Sequence, residues 1–99
     1  MEPIRFRGLD RAEILGWWVP VAASMSSRLL GLSLLRRRRA GAGLLIPRCR
    51  SVHTFGMRFR LDLLFLDEEG RVIELRRAVP PGRFVRCPGA AAVLELPSP

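Results

Sequence analysis

The sequence predicts a mostly β domain of the α+β kind: a small antiparallel sandwich or barrel-like sheet pair with one helix in its N-terminal half. Three observations carry this. The chain has 99 residues, enough for one core and no second. Apolar residues alternate along "HTFGMRFRLDLLF", with Phe55, Met57, Phe59, Leu61, Leu63 and Phe65 all on odd positions. Alternation at period two is the signature of a strand with one buried face. The loop "DEEG", residues 67–70, then separates that run from "RVIELRR", as a hairpin requires.

The elements follow in order. Residues 1–13 mix charges without a period and read as a loose leader, so the domain is set at 14–99. Trp17 to Ala22 reads as a strand, with Pro20 pointing to an edge or a bulge. In "SMSSRLLGLSLLRRRR", Ser24 or Ser26 suits a helix cap, and Met25, Leu29 and Leu32 repeat at helical spacing. The spacing predicts a helix near 25–37, its basic end matched to the helix dipole. "AGAG" ends it and "LLI" before Pro47 starts a short strand. The alternating stretch and "RVIELRR" form an antiparallel hairpin over 53–66 and 71–77, with the odd set facing the core. "PPG", residues 80–82, breaks the chain before a short strand at 84–86, and "AAVLEL" supplies the last.

A chain of this length buries roughly 65% of the surface its unfolded form exposes, so it folds without staples. Nearly half the residues are apolar, which excludes a polar disordered chain. Net charge is +8, and all 17 basic residues are arginine; Lys, Asn, Gln and Tyr are absent. A GC-rich coding sequence favours that composition, which weakens the step from high pI to nucleic-acid binding. Two cysteines make no disulfide framework, and no apolar run reaches membrane-span length. "ILGWWVPVAAS" imitates a signal peptide, but the acids ahead of it and Pro20 within it favour a first strand. The expected location is therefore the cytoplasm.

"SRLLGL", "GLLIPRCRSVHTFGMRFRLDLLFLDEEGRVIEL" and "CPGAAAVLELP" resemble the family called domain of unknown function 192, in its order and spacing over residues 19–97. The resemblance implies a compact, mostly β domain with a helix near its start, and brings no enzyme activity, cofactor or ligand. The chain departs from the family pattern twice. Arg60 stands where many members have proline, which restores a backbone donor. Members usually continue past "LELP", whereas this chain stops at Pro99, so an uncovered edge strand or core face is expected.

Each chemical candidate has an ordinary counterpart. His53 is the chain's only histidine and suits a general base, but no orienting partner is evident. Asp62 lies nine residues away, about 30 Å along a strand. Cys49, His53 and Cys87 are too few and unusually spaced for zinc, so no metal or cofactor is expected. The cysteines read as incidental thiols. The run Arg36 to Arg39, with Arg48, Arg50, Arg58 and Arg60, suits phosphates, and Trp17, Trp18 or Phe55 would stack on bases if exposed. Without a phosphate loop or RNA-binding signature, nucleic-acid binding is expected to be weak and non-selective. Asp67, Glu68 and Glu69 read as solvated turn residues.

The function these residues favour is a non-enzymatic binding or accessory module for an unknown ligand or protein partner. Its site would combine Arg48, Arg50, His53, Thr54, Arg58 and Asp62, where the polar face of the long strand meets the preceding loop; Asp62 with Arg60 also suits a salt bridge. Two alternatives have clear signatures. An RNA- or anion-binding module groups arginines on one face around an exposed aromatic. A small metal-dependent or Cys/His hydrolase sets His53 in a pocket beside Cys49, Cys87 or an acid.

Overall fold

Leu61, Leu63 and Phe65 alternate with Asp62, Leu64 and Leu66, and that alternation generates the centre of the fold. In the computed structural model, which describes residues 10–22 and 43–99, these six residues are strand β5. The remaining strands are β1 (Arg11–Ile14), β2 (Trp17–Pro20), β3 (Leu44–Pro47), β4 (Ser51–His53), β6 (Val72–Val79), β7 (Phe84–Arg86) and β8 (Ala92–Pro97). β3, β8, β5 and β6 form a four-stranded sheet in that order, and the pairings β3–β8, β8–β5 and β5–β6 are antiparallel. Two two-stranded ribbons, β1–β2 and β4–β7, complete the pattern.

Each ribbon covers one face of the sheet. Leu44, Ile46, Leu61, Leu63, Phe65 and Val93 point to one side, where Val52 of β4 and Val85 and Cys87 from the β7 arm join them in the larger core. Leu45, Leu64, Leu66, Leu94 and Leu96 point to the other, where Val19 of β2 and Ile14 of β1 pack. β5 and β8 are therefore covered on both faces, which is why they are largely apolar at even as well as odd positions, whereas the edge strand β6 is mostly exposed. Leu61, Leu63, Phe65, Val93 and Leu94 are fully buried. Burying a side chain of this size contributes about 1.5–3 kcal/mol. Among the described residues the strands close no barrel, and the arrangement is an open sheet between two ribbons.

The turn of the β5–β6 hairpin forms as its sequence predicts. Asp67 accepts from the amides of Glu69 and Arg71 through Oδ1, each at 2.9 Å, and Gly70 takes the left-handed conformation at φ 80°. Two register shifts interrupt the ladder. The first places Arg77 and Ala78 opposite the single residue Asp62, and Ala78 turns to φ 52°. A bulge leaves a ladder amide unpaired; here Asp62 Oδ1 accepts it at 2.8 Å.

Several expectations change. The hairpin's first strand begins at Leu61, not at residue 53. Thr54 donates its amide to Arg83 O, so residues 51–54 belong to the β4–β7 ribbon. A turn through Gly56 at φ 80° then redirects the chain. Met57 is still buried and Phe59 packs against the core, but Phe55 is exposed. Residues 11–13, assigned to a leader, form most of β1. β2 ends at Pro20, and Val21 continues as an isolated parallel bridge to Leu45 on the β3 edge. The last strand, β8, is interior, so the edges are β3 and β6. The helix expected near 25–37 and the run Arg36 to Arg39 lie outside the described residues. Among those described there is no helix, and none long and apolar enough to cross a membrane.

Candidate functional site

A groove of about 880 Å³ opens where the chain leaves β3 and enters β4. One wall is Ile46, Arg48, Cys49, Arg50, Ser51 and His53; the other is Pro88 to Ala91, with Glu68 of the β5–β6 turn completing the rim. Backbone hydrogen bonds hold the walls in place. Cys87 donates to Arg50 O at 2.7 Å, Ala90 to Cys87 O at 3.0 Å, and Ala91 to Leu66 O at 2.7 Å. The second wall is thus tied both to the ribbon and to the central sheet.

Arg48 sits at φ 52°, a left-handed conformation that costs a non-glycine residue about 1–2 kcal/mol. This turn lets the chain leave the sheet edge and present Arg48 and Arg50 to solvent. On β4 the alternation is out, in, out: Ser51 and His53 are exposed and Val52 is buried. The His53 ring stacks on Phe55 with centroids 5.7 Å apart and planes inclined by 20°. Its cross-strand partner is Phe84.

Of the six residues assigned to the site, the groove gathers Arg48, Arg50 and His53. Arg58 is exposed in the bend before β5, outside the groove lining. Thr54 and Asp62 have other work. Thr54 is fully buried; its Oγ1 donates to Pro80 O and accepts from Arg83 N–H, both at 2.8 Å. It locks the turn at residues 80–83 onto β4. Asp62 satisfies the bulge amide of Ala78, which is what its carboxylate does in place of an Arg60 salt bridge. Sequence reasoning missed Ser51, Glu68 and the 88–91 turn as groove residues, and Phe84 as a neighbour of His53. "CPGA" and "DEEG" were readable as turns, but not as turns that meet.

The groove brings together two arginines, Arg48 and Arg50, with the His53 imidazole and one carboxylate, Glu68. Cys49 donates its thiol to Ser51 O at 3.0 Å, while Cys87 is buried in the larger core. Both cysteines are free thiols. Among the described residues, no three His, Cys, Asp or Glu side chains come together as a metal site.

The family called DUF192, described as an uncharacterized ACR, matches residues 10–98, nearly the whole chain. The chain belongs to the DUF192 family. Two solved structures share the fold of this DUF192 domain. One, from Sinorhizobium meliloti 1021 and described as a candidate transcription regulator, is 23% identical with a TM-score of 0.72, over 89% of this chain and 78% of that one. The other, a protein of unknown function from Novosphingobium aromaticivorans DSM 12444, is 15% identical with a TM-score of 0.70, over 99% and 87%. Among curated proteins none matches the DUF192 domain. At these identities the two structures speak for the fold alone.

Proposed function

We propose that this DUF192 domain is a non-enzymatic binding module of the cytoplasm whose groove takes an anionic, phosphate-bearing ligand. The observation that carries the proposal is the convergence of Arg48, Arg50 and His53 on one groove of about 880 Å³. Guanidinium forks match phosphate geometry, and a hydrogen bond to a charged group contributes about 1.5–3 kcal/mol. The hydrolase alternative draws less support. It needs His53 in hydrogen-bond contact with a nucleophile or an acid; Cys49 and Glu68 line the same groove, but the His53 ring stacks on Phe55 and the Cys49 thiol is engaged with the Ser51 carbonyl.

Because His53 is the chain's only histidine, its imidazole resonances report on the groove without assignment. Titration with inorganic tripolyphosphate at low salt should move them in a saturable way. Arg50→Ser should weaken that binding roughly tenfold, the loss of one charge-assisted hydrogen bond. Unmoved His53 signals, or an unchanged affinity in the arginine variant, would rule the groove out as an anion site.

A further inference from the structure

Pairing β4 with β7 does more than cap the core. Cross-strand partners share a face, so Ser51 with Arg86 and His53 with Phe84 form one outward surface, while Val52 and Val85 point in. Phe55 extends that surface through its stack on His53. Phe55 and Phe84 are 57% and 64% exposed, against the usual tendency of phenylalanine to be inside. No burial requirement explains two such exposed rings, one stacked on His53 and the other paired with it across the strands. The segments that build this face, 50–55 and 83–86, contain Arg50, Arg83 and Arg86, all exposed, and no carboxylate. His53 belongs both to the aromatic strip and to the groove.

We propose that the outer face of the β4–β7 ribbon is a stacking platform for single-stranded nucleic acid, with Phe55, His53 and Phe84 against bases and Arg50 and Arg86 against phosphates. The proposal rests on the anionic-ligand reading of the groove and names its ligand class. Exposed aromatic side chains with arginines beside them on a solvent-facing strand pair supply what single strands need: flat apolar surfaces for unpaired bases and cations for the backbone. A duplex offers no free base faces to such a strip. Along the face Arg86 lies beside Ser51 at one end and the rings of His53, Phe84 and Phe55 follow toward the other, so a strand crossing it meets a phosphate contact and then base-stacking surfaces.

The test uses the 99-residue chain and fluorescently labelled dodecamers: oligothymidylate, oligouridylate and an abasic strand of equal charge. Polyglutamate serves as an acidic competitor without bases. Binding is followed by anisotropy at low salt and at about 0.15 M salt. The base-bearing strands should bind at least fivefold more tightly than the abasic strand. Phe55→Ala and Phe84→Ala should each remove about fivefold or more of that advantage while leaving abasic binding in place. Arg50→Ser and Arg86→Ser should weaken every strand, each lowering the salt slope by about 0.7. Trp18→Ala, on the ribbon across the sheet, should change nothing. A tighter DNA or a tighter RNA supports the platform equally and names the sugar. Equal affinity for abasic and base-bearing strands would overturn the platform while leaving the anion groove standing. Polyglutamate competing as well as oligothymidylate would overturn it in favour of an acidic peptide. If no strand and no tripolyphosphate binds at low salt, both proposals fall.

Discussion

Replacing Thr54 with valine removes a hydroxyl at the point where β4 and the 80–83 turn are joined, and the cost can be worked from its surroundings. Thr54 is fully buried; its hydroxyl donates to Pro80 O and accepts from Arg83 N–H, each at 2.8 Å. Each lost hydrogen bond is worth about 1 kcal/mol net, and an orphaned buried group costs about 1–3 kcal/mol. Pro80 is half-buried and Arg83 is exposed, so water can reach both partners and the lower end applies. The added methyl returns under about 1 kcal/mol. The expected loss is about 2 kcal/mol, a large share of the 5–15 kcal/mol of a typical domain. For a chain of this size that lowers Tm by roughly 8–16 °C. Thr54→Ser keeps the hydroxyl and loses one methyl, about 1 kcal/mol. Urea melts of the three proteins give the test, with unchanged slope confirming that stability alone has moved. If valine proves as stable as serine at this position, packing rather than hydrogen bonding holds the turn, and the account given of Thr54 is wrong.

Gly43 sits at φ 142° against β8, where an added Cβ would collide with Glu95 O and lie 2.7 Å from Leu96 Cδ2. Gly43→Ala should therefore cost on the order of 3 kcal/mol, read as a lower urea midpoint; a change below about 1 kcal/mol would mean that β3 can shift away from β8. The Asp67 carboxyl is held below its ordinary value of 3.8, first by the Arg71 amide, with the Arg71 guanidinium and the Glu69 amide also lowering it against an opposing desolvation. A depressed carboxyl stabilises the fold above its unfolded pKa and loses that contribution as pH falls through the folded one. The stability difference between wild type and Asp67→Asn should thus be constant above about pH 5 and shrink below it; thermal melts from about pH 6 to pH 2 showing a constant difference would remove Asp67 from the acid response.

The sequence displayed the central hairpin because its alternation and its turn chemistry agree. Leu61, Leu63 and Phe65 face the larger core, and Asp67 and Gly70 supply the acceptor and the left-handed residue that the loop needs. Alternation misled where it ran on. Phe55 falls on the same odd parity as Leu61, yet Gly56 turns the chain between them, so parity no longer encodes facing. A glycine inside a strand pattern is the local sign of such a break. Residues 11–13 of the expected leader join Ile14 in β1 for a related reason: four residues are too few to show a period, and only pairing with β2 reveals the strand.

The site was legible as a place and not as a set of contacts. Arg48, Arg50 and His53 reach the groove because they lie within six residues of one another, at the junction of β3 and β4. Local sequence is enough to see that. Thr54 and Asp62 carried the same polar signal and were drawn elsewhere by partners 26 and 16 residues away. A lone threonine between an exposed histidine and an exposed phenylalanine looks like a ligand until Pro80 and Arg83 stand on either side of its hydroxyl. Phe84 shows the converse. Nothing around residue 84 marks it as functional, and its meaning comes from register alone: antiparallel pairing sets it opposite His53 and turns both rings outward. A one-residue slip of β7 would bury Phe84 and expose Val85, turning an aromatic surface into an ordinary core contact. The buried pair Val52 and Val85 resists that slip, so the residues that stabilise the ribbon also fix which rings face the solvent.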